Sequence, residues 1–241
     1  MTPQRGNGCV RVLHSAHPSA LALVVVLAFG LAACGPAGGG GGGFGAEYQV
    51  NVTDDGDDGV CNSGHCSLRE AINAANAHAG LGLIKFDIGG GGAQTISPLS
   101  VLPEITDAVT IDGRTQPGFA GIPIIELSGA NATVNANGLT IRAANCRVRG
   151  LVINRFHSGQ GPSIGSGAGI AVLEGGYATI EGNYIGTDVD GTAALGNALG
   201  VMAWTSGNTI GGTTLASRNV ISGNIAQGIE IEGQENVVAG S

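Results

Sequence analysis

The sequence is poor in basic residues, in aromatic residues and in charge of either sign. Lys85 is the one lysine, and ten Lys and Arg face eighteen Asp and Glu, for a formal net charge of −8. Because an acidic chain repels phosphate groups, this balance argues against a nucleic-acid partner. Only 12% of the residues are charged, whereas 43% are apolar, which excludes disorder driven by charge repulsion and leaves enough material for a core.

Beyond Leu81 the sequence also lacks the apolar stripe of a helix, and glycine and short β-branched triplets take its place. Triplets of one kind begin at Gly138, Gly169, Gly200 and Gly228, about 30 residues apart. A second kind recurs at 178–180, 208–210 and 236–238, and a third at 183–186 and 219–224. Three short strands per repeat are typical of an all-β solenoid, in which equivalent strands stack and bury aliphatic ladders. The spacing places Ile170, Val201 and Ile229 above one another.

The N-terminus has the pattern of an export signal. Arg5 and Arg11 precede an apolar run from Ala20 to Ala33, which is too short to span a bilayer comfortably. The run ends at Cys34, in a context that resembles the lipobox of bacterial lipoproteins. That resemblance implies a signal peptide over residues 1–33, a lipidated Cys34, and a glycine-rich tether over 34–46. The alternative is an ordinary secretory signal, with Cys34 incidental.

A short helix is predicted after the tether. Ser67 and Glu70 have capping-box spacing, and an apolar stripe follows, so we expect a helix from about Leu68 to Ala79 with Gly80 at its C-terminus. Cys61 and Cys66 precede the helix and should form a disulfide outside the cytoplasm. A metal site made from this cysteine pair and His65 is the alternative.

The residues Cys66-Ser67-Leu68-Arg69-Glu70-Ala71 reproduce the namesake motif of the CSLREA domain, found in bacterial envelope and secreted proteins. The resemblance extends from about residue 47 to the C-terminus. It implies a right-handed parallel β-helix over 81–241, with residues 47–80 as an α-helical cap on its first turn, and it implies no settled activity.

Catalytic candidates are weak. Glu181, Asp188, Arg155 and Arg218 are the acids and bases that a polysaccharide lyase or hydrolase of the β-helix class would use, but no second carboxylate recurs beside them one repeat later. Asp188 and Asp190 could belong to a Ca²⁺ loop, although polar turns are the commoner meaning of such runs. Cys146 has no partner and is expected in or beside the core.

The sequence therefore predicts a surface lipoprotein of the bacterial cell envelope that a lipid anchor holds in the membrane. In a cell with two membranes, we expect this to be the outer membrane. We expect a binding or structural role, with polysaccharide or a surface protein as partner, rather than catalysis. The alternatives are the polysaccharide-cleaving enzyme named above, and a truncated fragment of a longer β-helix protein, because the last repeat ends without a capping segment.

Overall fold

Short parallel strands and one α-helix make up the part of the chain that the computed structural model describes, residues 45–157 and 166–241. In chain order the elements are β1 (Ala46–Val50), α1 (Leu68–Asn76), β2 (Gly82–Phe86), β3 (Gln94–Ile96), β4 (Val109–Asp112), β5 (Ile125–Ser128), β6 (Leu139–Ile141), β7 (Arg147–Arg149), β8 (Leu151–Asn154), β9 (Ala168–Val172), β10 (Thr179–Glu181), β11 (Tyr184–Ile185), β12 (Leu199–Ala203), β13 (Thr209–Gly211), β14 (Val220–Ile221), β15 (Ile229–Ile231) and β16 (Val237–Ala239). Short 3-10 helices occupy Gly113–Thr115, Gly129–Asn131 and Leu215–Ser217.

The strands form three sheets in which the paired strands run parallel. Sheet A has the order β1-β2-β4-β7-β10-β13-β16, sheet B has the order β14-β11-β8-β5-β3, and sheet C has the order β15-β12-β9-β6. From β4 onward, successive strands of the chain fall in sheets A, B and C in turn, so each sheet gains one strand per cycle.

The predicted class, an all-β right-handed parallel β-helix solenoid, is wrong. The described residues form wholly parallel sheets of seven, five and four strands together with α1, which is an α/β-like arrangement. The physical reason lies in the core: Leu68, Ala71 and Ile72 of α1 are buried in the same hydrophobic cluster as Ile84 and Ile111 of sheet A. The helix is therefore part of one common core with the strands. The strand repeat of the sequence indicated parallel pairing but did not determine the fold class.

The pairing register that the repeats predicted is present. Val201 pairs with Ile170 on one side and with Ile229 on the other in sheet C. In sheet A one ladder runs Ile84, Ile111, Val148, Ile180, Ile210 and Val238, and all of its members except Val238 in the last strand are buried. In the interior strands, the neighbouring strands on both sides shield the side chains of this ladder from water. Burial therefore stabilises the middle of the sheet most.

Helix α1 begins as predicted and ends earlier than predicted. The Ser67 hydroxyl accepts a hydrogen bond from the Glu70 backbone N–H, and the Glu70 carboxylate accepts one from the Ser67 N–H, so the capping box is formed. The helix ends at Asn76 and not near Ala79 because the chain is bound elsewhere: the Asn76 side chain bonds the backbone of Glu104 and Thr106, and the Gly80 N–H donates to Asp107.

The cysteines of the described region fall where the sequence places them. Cys61 and Cys66 form a disulfide, which leaves neither sulfur free as a metal ligand. Cys146 is buried in the core with 1% of its surface exposed. Burial raises the pKa of its thiol, because the charged thiolate is disfavoured there.

The predicted signal peptide (1–33) and Cys34 lie outside the described residues, as does the tether up to Phe44. Within the described residues, no helix combines the length and the apolar character needed to cross a bilayer.

Candidate binding cleft

Charged side chains on the outer face of sheet A pair with one another. Lys85, Asp112, Arg149 and Glu181 occupy successive strands in register, with alternating charge. Arg149 contacts Asp112 at 2.8 Å and Glu181 at 3.7 Å, and Arg147 contacts Glu181 at 3.9 Å. Burial alone would raise the pKa of Asp112, but hydrogen bonds from Arg114 and Arg149 outweigh it and hold that pKa below its usual value. Glu181 is therefore part of an ion-pair ladder.

The other catalytic candidates also have separate partners. Arg155 contacts Glu126 at 3.1 Å, together with Ser128 and Asn154. Asp188 accepts hydrogen bonds from the backbone N–H groups of Ala193 and Thr192, which lower the pKa of its carboxyl. In the described ranges no ion pair or hydrogen bond joins Glu181, Asp188, Arg155 and Arg218 to one another.

The candidate calcium loop at Asp188 and Asp190 is built as a turn, and so is the acidic run 54–59 before α1. Asp188 caps its own loop through backbone N–H groups, and Asp190 is exposed. In the run 54–59 the side chains of Asp54, Asp57 and Asp58 each accept from the backbone N–H two residues ahead. Among the residues that the structure describes, no group of three His, Cys, Asp or Glu is arranged to hold a metal ion.

Arg218 lies in a cleft of about 290 Å³, close to the lower end of the roughly 300–1,000 Å³ typical of small-molecule sites. One wall is the segment after β4, with Arg114, Phe119 and Pro123, and the other is the 3-10 segment before β14, with Leu215 and Arg218. Tyr184 of β11 lies between the two walls. Residues more than 100 positions apart thus meet at one corner between sheets A and B.

Close backbone packing forms the corner beneath the cleft. Gly182 has φ +63°, and a Cβ atom there would lie 2.6 Å from the carbonyl oxygen of Ala216. Gly150, in the preceding strand layer, has φ +70°, and a Cβ atom there would lie 2.4 Å from Cγ of Arg114. A side chain at either glycine would displace one wall of the cleft.

The electrostatics of the cleft differ from those of the rest of the described surface. Every other Arg or Lys in residues 45–157 and 166–241 lies within 4.0 Å of a carboxylate, whereas Arg218 is exposed with no carboxylate partner there. Asp112 binds Nε of Arg114 at 3.0 Å and orients that guanidinium. None of the described residues lining the cleft is Asp or Glu. The cleft is therefore locally positive on an acidic protein.

A polar cluster at the start of α1 holds the preceding loop. His65 Nδ1 lies 3.0 Å from Glu70 Oε2, and His65 Nε2 lies 3.1 Å from Asp54 Oδ1. The hydrogen bond to Asp54 is the main cause of a raised pKa for His65. Burial opposes ionisation of Glu70, but N–H donors from Ser67 and Asp58, together with His65, lower its pKa.

Sequence reasoning selected Arg218 but missed Arg114 and Phe119 as its neighbours. The sequence signal that could have indicated this corner is a glycine that recurs there in successive layers. Gly113 packs on Gly150, and Gly182 packs on Ala216. That signal is hidden among the 45 glycines of the sequence.

No protein-family model matches the chain, and a search of curated proteins finds no match. The CSLREA resemblance and the lipoprotein signal therefore stay predictions from the sequence.

Proposed function

We propose that this protein is anchored to the bacterial cell envelope through Cys34 and binds polysaccharide there without cleaving it. The membrane is then its first partner, through the lipid, and an envelope polysaccharide its second. A surface protein is the alternative second partner, and nucleic acid is not expected, given the net charge of −8.

The observation that carries this proposal is the cleft around Arg218. It offers an unpaired guanidinium, a second oriented guanidinium and apolar side chains, which are groups suited to holding a polar ring compound. Leu215 is 84% exposed at its rim, and Ile122, in the opposite wall segment, is 53% exposed, so apolar surface is open beside the charge.

The distribution of carboxylates favours binding over cleavage. General acid–base chemistry needs a titratable group within hydrogen-bond reach of the reacting atom. The described lining of the cleft contains no carboxylate, and Glu181 and Glu126 are held in ion pairs with arginines.

Co-sedimentation with insoluble polysaccharides, followed by analysis of the supernatant, tests the proposal. The expected result is that the purified chain sediments with at least one acidic polysaccharide while the polymer stays intact. Release of unsaturated or reducing ends, with or without Ca²⁺, would instead establish the lyase or hydrolase alternative. Binding to none of the polymers would refute the proposal.

The anchor is tested in a bacterial host with the full chain and its Cys34→Ala variant. The unchanged chain should partition into detergent and carry the mass of added acyl groups on Cys34, whereas Cys34→Ala should not. Identical partitioning of the two chains would contradict the lipid anchor.

A further inference from the structure

We propose that the cleft around Arg218 binds a sugar unit that carries a carboxylate, and that this contact selects acidic over neutral polysaccharide. The inference rests on the proposed binding function and names the ligand class of its site.

The charge pattern is the first step. A guanidinium on a protein surface normally finds a carboxylate within the protein, and the other described arginines do so, even Arg147 at 3.9 Å. Arg218 is exposed in a protein with eighteen Asp and Glu, yet none of them lies within ion-pair distance of it in the described ranges. The planar donor of Arg218 is therefore free to bind a carboxylate that a ligand supplies.

The second step is the position of the second arginine. Asp112 engages Nε of Arg114 at 3.0 Å and Nη2 at 3.4 Å. These bonds hold the guanidinium in one orientation at the wall of the cleft and reduce the side-chain entropy that a ligand must remove on binding. The charge of Arg114 is offset by Asp112, so Arg114 fixes one wall of the cleft and the uncompensated charge there is that of Arg218.

The third step is the shape and the apolar surface. Phe119, Pro123, Tyr184 and Leu215 surround the two arginines. Aromatic and aliphatic surfaces pack against the C–H faces of a pyranose ring, and the Tyr184 hydroxyl is able to bond a sugar hydroxyl. A volume of about 290 Å³ suits one ring with its carboxylate and not a folded partner.

Calorimetry of the purified chain with trigalacturonate, compared with the methyl ester of the same trimer, tests the assignment. The ester keeps every ring and removes the charge. We expect binding of the acid form, weakening as salt is raised, and affinity for the ester at least about tenfold lower, because hydrogen bonds to charged groups are the strong ones. Inorganic phosphate at equal ionic strength should not displace the trimer.

The matched variants are Arg218→Gln, Arg218→Lys and Arg147→Gln. Arg218→Gln should weaken binding about tenfold or more, and Arg218→Lys should lie between it and the unchanged chain, since lysine keeps the charge but not the planar fork. Arg147→Gln removes the same charge from sheet A and should leave the affinity unchanged. Thermal unfolding of each variant confirms that the fold is retained.

The failures of the two proposals are distinguishable. If the chain binds acidic polysaccharide and Arg218→Gln binds it equally well, the assigned site is wrong and the binding function stands. If Arg218→Gln and Arg147→Gln weaken binding equally, then non-specific charge attraction, and not the assigned site, accounts for the binding. Displacement of the trimer by phosphate would show that the cleft is a phosphate site. Binding of neutral polysaccharide only would refute the proposal that the ligand carries a carboxylate. A chain that binds no polysaccharide at all would refute both proposals.

Discussion

His65 shows how one side chain can connect a loop to a helix. It contacts Glu70, whose side chain is fully buried, on one ring nitrogen and Asp54 on the other. Its raised pKa means that folding favours the protonated ring, so its contribution to stability is complete below the ordinary histidine value of 6.5 and is lost as the pH rises through the folded value. Glu70 has a lowered pKa, so its contribution is present above 4.5 and is lost as the pH falls.

The first prediction is a pH window for His65→Gln. The loss of stability caused by this substitution should be greatest between about pH 4.5 and 6.5, where the ring is protonated and Glu70 is ionised, and smaller at pH 8. Urea unfolding at a series of pH values measures it. The control is His157→Gln, which changes an exposed histidine in a loop. A stability difference between His65→Gln and the unchanged chain that is constant with pH would contradict the assignment.

At the residue scale, Arg218 has no ion-pair partner in the described ranges because the residues beside it carry no carboxylate. Leu215, Ala216 and Val220 line the cleft beside it, and none of them offers a carboxylate. Arg155, by comparison, lies beside Glu126 because strands β5 and β8 pair in register and bring Glu126 next to Val152. Sheet register therefore gives Arg147, Arg149 and Arg155 carboxylate partners on neighbouring strands, whereas Arg218, in the loop before β14, has no such partner in the described ranges.

At the scale of elements, α1 is the piece whose local signals and tertiary contacts agree. The Ser67 hydroxyl accepts from Glu70 N–H and donates to the carbonyl oxygen of Gly56 at 2.6 Å, so one side chain caps the helix and holds the 54–59 turns. Arg69, the second residue of the helix, contacts both carboxylate oxygens of Asp55. The segment before the helix is therefore bound to its first turn at several points.

The second prediction concerns that cap. Ser67→Ala should lower the free energy of unfolding by about 1–2 kcal/mol, because it removes an N-cap acceptor and leaves the carbonyl oxygen of part-buried Gly56 without this donor. Equilibrium urea unfolding is the measurement, and the matched control is Ser63→Ala, the same change at an exposed position in the same loop. Equal effects at the two positions would show that the capping box contributes no more than any surface hydroxyl.

At the scale of the whole molecule, stability comes from ladders that continue from layer to layer. Val148 and Val238 belong to the same ladder of sheet A, but Val148 is 1% exposed in the interior and Val238 is 47% exposed in the last strand. Each interior member packs against side chains above and below it, so its removal leaves a cavity, whereas the last member has a neighbour on one side.

The third prediction compares these two valines. Val148→Ala should cost about 2 kcal/mol of unfolding free energy, from the lost apolar contacts and the cavity, and Val238→Ala less than about 1 kcal/mol. Both are read from urea midpoints at unchanged slope. Because the substitution is the same, the comparison isolates position in the ladder, and equal costs would mean that burial does not increase toward the middle of sheet A.

Local patterns allowed a good part of this structure to be predicted. The capping box at Ser67 and Glu70, the Cys61–Cys66 disulfide and the pairing of Ile170 with Val201 each follow from residues close in sequence or from one repeat length. The C-terminus of α1 was mispredicted because Asn76 is bound by Glu104 and Thr106, and no local signal announces those contacts.

The fold class and the cleft show the limit of those local patterns. Alternation and spacing determine which side chains face the core and which strands pair, because both depend on the two-residue and 30-residue periods of the chain itself. Whether a helix joins the same core, and whether Arg114 and Tyr184 meet Arg218 at one corner, depends on how distant segments pack in three dimensions. Charge pairing also depends on the tertiary structure: the sequence contains the acids and the arginines, but the packed sheets leave one guanidinium of the described residues, that of Arg218, without an acid.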